Sequence, residues 1–186
     1  MSTATMSRTR TRHLVVIDMQ RIFRRKGDWH VPRYDEAAAG IIRLAAALPA
    51  PIMTRFVRDP LEEGAWEAYY DRWDSTRLTR EDSAWDLELP GLDSGQTLDL
   101  STFGKWGPRL EALVPVGHEI VLTGVATDCC VLSTALAAVD AGRFVTVVSD
   151  ACAGQNDTSH DGALAMLALL APMIRIVSTQ ELLDEL

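Results

Sequence analysis

The chain of 186 residues has only three cysteines, two of them adjacent, and four histidines. An odd count with a neighbouring pair makes no disulfide framework, so a reducing, cytoplasmic setting is expected. The histidines, at positions 13, 30, 118 and 160, lie far apart without metal-ligand spacing, and no metal is implied. No apolar run is long enough to span a bilayer, so no membrane partner is expected. The opening residues, MSTATMSRTRTR, have no apolar stretch behind their basic positions. Residues 1–12 therefore read as a disordered tail rather than a signal peptide. There is no G-x-G-x-x-G and no G-x-x-x-x-G-K, hence nothing for a dinucleotide or a nucleoside triphosphate, and no cofactor is expected. The missing G-x-S-x-G elbow weakens a serine-hydrolase reading. Basic residues are also in deficit: a net charge of −8 and a pI near 4.9 leave no basic face for nucleic acid. With no repeat, linker or low-complexity segment, residues 13–186 read as one domain.

What the chain does have is a regular alternation of apolar runs. His13 to Met19, Pro51 to Val57, a short run from Gln96 to Leu98, Ile120 to Leu122, Arg143 to Ser149 and Met173 to Ser178 read as strands. Between them lie helical patterns over Pro32 to Leu48, Pro108 to Val114, Asp128 to Ala141 and Asp157 to Leu170, with a last short helix capped by Thr179. Residues 150–154 read as a loop. Strands rich in Val and Ile that alternate with helices predict a mainly parallel α/β sheet of about six strands, covered on both faces. Residues 59–92 break the pattern, being polar but carrying Trp66, Tyr69, Tyr70, Trp73 and Trp85. They predict either a lid or subunit contact, or a surface subdomain pinned by its own aromatics.

The stretch with the most chemical content is EIVLTGVATDCCVLSTALAAVDA, from Glu119 to Ala141. It reads as a buried strand breaking at Thr123-Gly124 and turning into a small-residue helix, which places Cys129 and Cys130 at a helix N-terminus. Unpaired amides and the helix dipole lower a thiol's pKa there. One of the pair is then a nucleophile, or both are small core residues. Asp18, at the end of the first strand, is a charge that needs a partner or a task. In a parallel sheet Asp18, the 99–106 segment and Cys130 all stand at one edge, where open α/β folds bind ligands.

Val16-Ile17-Asp18-Met19-Gln20, joined to Thr123-Gly124-Val125-Ala126-Thr127-Asp128-Cys129-Cys130-Val131, resembles the isochorismatase-like cysteine hydrolases, from His13 to Leu183. The resemblance implies a Rossmann-like three-layer α/β/α sandwich and an Asp, Lys, Cys triad. Asp18 matches its acid/base and Cys130 its nucleophile, with Cys129 a structural neighbour and Cys152 a core residue. Val125-Ala126 matches a cis peptide that aims the Ala126 amide, with that of Cys130, at the oxyanion. The family's lysine position is occupied by Leu100. Lys105, five positions on, either replaces that lysine or is a solvated surface residue or a contact at the substrate's edge. Leu100 beside Asp18 should raise the pKa values of Asp18 and Cys130 and weaken hydrolysis.

Phe23, Trp29, Phe56, Phe103 and Trp106 are candidates for an aromatic substrate pocket, and Arg55 for a carboxylate partner. Their alternative is ordinary packing. The family's nicotinamidases take a metal through an Asp and two His after the second strand, and TRFVRDP carries no His there. The implied activity is hydrolysis of a small-molecule C–N bond, amide or imide, through a thioester. The alternatives are isochorismatase-type vinyl-ether hydrolysis and a catalytically weakened pseudo-enzyme that binds a small molecule. The resemblance also implies a homo-oligomer, dimer or tetramer.

Overall fold

The computed structural model describes residues 10–92 and 96–186. Six strands, β1 (Arg12–Ile17), β2 (Ile52–Phe56), β3 (Gln96–Leu100), β4 (Glu119–Val125), β5 (Phe144–Ala153) and β6 (Ile174–Val177), make one sheet in the order β3-β2-β1-β4-β5-β6. All five pairings are parallel. Of the expected tail, residues 1–9 lie outside the described residues. Arg12 is not tail but the first residue of β1, where its guanidinium meets Glu119 and Glu185.

Among the described residues seven α-helices accompany the strands: α1 (Arg21–Arg24), α2 (Tyr34–Ala45), α3 (Ala65–Arg72), α4 (Pro108–Glu111), α5 (Leu132–Asp140), α6 (Asp157–Ala168) and α7 (Thr179–Asp184). The period-two alternation of β1 divides the interior. Leu14 and Val16 point to a core completed by Ala37, Ile41 and Leu44 of α2 and Leu182 of α7. Val15 and Ile17 point to the opposite core, with Leu110 of α4, Ala135 and Ala138 of α5 and Leu167 of α6. Helices on both faces of a parallel sheet make the three-layer α/β/α sandwich that the alternation predicts.

Among the boundaries that differ from the sequence reading, three have a clear local cause. β4 does not break at Thr123-Gly124 but runs through both to Val125, because parallel pairing to β1 continues to the Ile17–Gly124 register. Residues 150–153 are not a loop but the end of β5, held by pairing of Cys152 and Ala153 with Gly124 and Val125. The last helix is capped by Ser178 rather than Thr179. Its hydroxyl accepts from the Glu181 amide while the Glu181 carboxylate accepts from the Ser178 amide.

The strand order reverses direction between β1 and β4, the switch point at which ligands enter open α/β sheets. The aromatic 59–92 stretch folds back over this end. Tyr70 and Trp85 pack with Phe56 and Val57 in a third buried cluster. The Gln20 side chain donates to Phe56 O at 2.9 Å and Trp85 O at 2.7 Å, and accepts from Phe56 N at 2.8 Å. One buried amide thus ties the ends of β1 and β2 to the excursion.

Candidate active site

Asp18 follows β1 directly, with a left-handed φ of 48° that Asp tolerates better than most residues. Its side chain is fully buried. Thr54 Oγ1, from β2, donates to Oδ1 at 2.7 Å. The other oxygen, Oδ2, lies 2.9 Å from Lys105 Nζ. The contact is an ion pair set off the line of a well-formed hydrogen bond, so Oδ2 keeps room for another donor.

Lys105 is therefore not a solvated surface lysine. It is as buried as Asp18, with Nζ also donating to Thr102 O at 2.6 Å and lying 4.9 Å from the Phe56 ring centroid. The turn after β3 is what carries it inward. Its amide donates to Thr134 Oγ1 at 2.9 Å, and Thr134 in turn donates to Cys130 O at 2.6 Å. The lysine segment is thus pinned to the cysteine segment. Leu100, half-buried, packs instead in the core that holds Ile17 and Cys130. The cation that position 100 lacks stands beside Asp18 from position 105, while the expected upward shift of Cys130 is present for another reason, its bond with Cys129 and its burial.

Cys129 and Cys130 lie on a π-helical turn, Thr127–Val131, between β4 and α5. The Val131 amide reaches back to Ala126 O at 3.1 Å, closing the wide turn. The preceding Val125–Ala126 peptide is cis. Cys130 is buried, Cys129 half-buried. The two thiols interact and diverge. Cys129 is held below the ordinary thiol range by its hydrogen bond with Cys130, against the cost of burial. That same hydrogen bond, burial and the Asp18 carboxylate push Cys130 well up, opposed by the Lys105 ammonium. At this turn the Cys129 thiol is drawn down and the Cys130 thiol pushed up. Burial also raises Cys152, which sits in the core as expected.

A cavity of about 250 Å³ opens on both cysteines and Ala126. Phe23, Trp29, Phe56 and Phe103, all candidates for the aromatic pocket, line it. Two expected members do not. Arg55 faces Asp99, its direct cross-strand neighbour on β3, in a two-pronged pair at 2.7 Å and 2.7 Å. That bond draws it away from the cavity. Trp106 lies under the Arg143 guanidinium, 5.1 Å from ring centroid to charge, and packs on the core beneath α4 and α5.

Other lining residues escaped the sequence reading as pocket members. Tyr69 in α3 and Trp73, the residue just past its end, also line the cavity. Their spacing was the available signal. His30, Asp28, Asp128 and Gln155 complete the polar part. Thr54 and Thr134, which position Asp18 and Lys105, carried no signal beyond being hydroxyls in apolar runs.

Residues 12–181 match the family model of the isochorismatase domain. The chain belongs to the isochorismatase family. It is 32% identical over 80 residues to isochorismatase domain-containing protein 2 of Xenopus laevis, a match covering 41% of this chain and 39% of that relative. The same protein of Rattus norvegicus gives 32% over 79 residues, 38% of its length. The matched region therefore spans well under half the length of these curated relatives. Among solved structures, a cysteine hydrolase from Pseudomonas syringae pv. phaseolicola superposes with a TM-score of 0.79 at 20% identity, over 94% of this chain and 91% of that one. An isochorismatase family protein from Desulfovibrio vulgaris subsp. vulgaris gives 0.76 at 20%, over 95% and 98%. At such identities these likenesses show the isochorismatase-like hydrolase fold.

Proposed function

We propose that the protein is a cysteine hydrolase that cleaves the C–N bond of a small amide or imide through a thioester on Cys130. The observation that carries this is the buried Asp18–Lys105 pair acting electrostatically on a cysteine at the cavity wall. Asp18 takes the Cys130 proton as the sulfur adds to the carbonyl carbon. The C–N bond then breaks and that proton goes to the departing nitrogen, leaving an acyl group on sulfur. Water attacks the thioester and loses its proton to Asp18. The C–S bond breaks, the sulfur regains a proton, and the products are a carboxylic acid and an amine or ammonia. With the Cys130 thiol pushed up, its activation goes with proton transfer to Asp18. Lys105 offsets the charge that Asp18 holds before the transfer. The Ala126 and Cys130 amides match the family's donors to the developing oxyanion. The Lys105–Asp18 pair supports this reading over a pseudo-enzyme disarmed by Leu100.

The test is turnover of an amide panel together with mass analysis of the trapped intermediate. Cys130→Ala and Asp18→Asn should each abolish turnover, Cys129→Ala should retain it, and the acyl mass should sit on the Cys130 sulfur. Full turnover by Cys130→Ala would leave acid-only chemistry as the alternative.

A further inference from the structure

The cavity wall is aromatic and its charge is of one sign. Phe23, Trp29, Phe56, Tyr69 and Phe103 form a continuous set of rings. Trp29 stands at its centre, 5.8 Å from Phe23, 5.4 Å from Phe56 and 6.1 Å from Tyr69, with Phe103 5.5 Å beyond Tyr69. Trp73 adds a sixth ring to the lining. Two carboxylates share this lining, Asp28 and Asp128, and neither is ion-paired among the described residues. Asp28 accepts from Ser75 Oγ at 2.5 Å and Asp128 from Gln155 N at 3.0 Å, bonds that fix them without neutralising them.

Among the described residues the lining contains no lysine or arginine. Arg55, the candidate for a substrate carboxylate, is taken by Asp99. Lys105 is balanced by Asp18. An anionic substrate would meet two uncompensated carboxylates, whereas a cation would meet them together with the negative faces of the rings. The net charge of −8 adds attraction for cations at long range. His30 Nδ1 is buried at the same wall without a hydrogen-bond partner, a polar group available to a ligand.

We propose that the substrate is a cationic amide, with its scissile C–N bond at Cys130 and an ammonium or alkylammonium group held by the aromatic wall and by Asp28 and Asp128. The word amide rests on the hydrolase reading above, while the cation site stands on the cavity alone.

Two measurements separate these. The first is tryptophan fluorescence titration of the wild-type protein with benzyltrimethylammonium, benzyl alcohol and phenylacetate, none of which can be hydrolysed. The cation should bind about tenfold more tightly than the alcohol, and the anion more weakly than either. Asp28→Asn and Asp128→Asn, which keep the acceptor oxygens, should each weaken the cation several-fold and leave the alcohol unchanged. Phenylacetate binding as tightly as the cation, or a cation affinity indifferent to both variants, overturns the proposal. The second is kcat/KM for matched amides that carry an ammonium, a neutral or a carboxylate group at the far end. Binding of the cation with no amide turned over sinks the hydrolase reading and supports the cation site. Turnover without preference for the ammonium amide sinks the cation site and supports the hydrolase.

Discussion

Asp18 and Lys105 are both removed from solvent, so the desolvation of each is set against their mutual attraction. Such pairs add little net stability as pairs, yet breaking one leaves an uncompensated charge in the interior. Lys105→Met should therefore cost about 3–5 kcal/mol in urea unfolding. The double variant Asp18→Asn with Lys105→Met should recover much of that loss, since it buries no lone charge. Additivity of the two single effects would show that the pair is not coupled. Leu100→Lys should bring no gain in turnover, because the cation it would add is already present from Lys105.

At the level of elements, the site depends on how closely β4 approaches β1. Gly124 adopts a φ of 104°, and a Cβ built there would lie 2.1 Å from Ile17 O. No rotamer adjustment relieves a clash with backbone, and an L-residue is disfavoured at that φ in any case. Gly124→Ala should destabilise by more than about 4 kcal/mol or prevent folding, measured by circular dichroism and urea titration. Near-native stability would mean that β1 and β4 can separate without cost. The same approach brings Asp18, just beyond Ile17, beside the segment that carries the cysteines. The packing that makes the substitution intolerable thus also assembles the site.

Across the whole molecule, pH acts on groups at both ends of the sheet. His13 lies in β1 near the opposite edge of the sheet, stacked on His118 with Nε2 and Nδ1 2.8 Å apart. Burial, then the His118 charge, lowers its pKa. Burial likewise lowers His160, whose Nδ1 meets Thr127 Oγ1 at 2.8 Å. A base with a lowered folded pKa binds fewer protons folded than unfolded, so its contribution is full above about 6.5 and is lost as pH falls toward the folded value. Asp99, held down by its bonds to Arg55, and Glu185, held down by Arg175, contribute above the ordinary carboxylate range near 4 and lose that contribution as pH falls through their depressed folded values. Tm should fall in two stages as pH is lowered, one beginning near the ordinary histidine value of about 6.5 and another below about 4. His13→Gln should make the first stage shallower, the His160 part remaining, and leave the second. A first stage unchanged in that variant would remove the histidine pair as its cause.

The alternation of strands and helices was legible because hydrophobic periodicity is local, written into stretches of five to fifteen residues. Asp18 and Cys130 stood out for the same reason: each ends or follows an apolar run, in a motif readable without knowing what faces it. The strand ends at Thr123-Gly124 and at residues 150–153 were misplaced because glycine and polar residues signal a turn locally, while pairing to a neighbouring strand decides otherwise. Only the tertiary structure decided the partners of charged side chains. Lys105 reaches Asp18 because the turn after β3 is bonded to α5 through Thr134. Arg55 leaves the pocket because Asp99 faces it across β2 and β3. Composition and local pattern predict where a chain turns and what it buries. Which of two distant ions meet is fixed by the register of strands and loops far apart in sequence, and no local pattern encodes that.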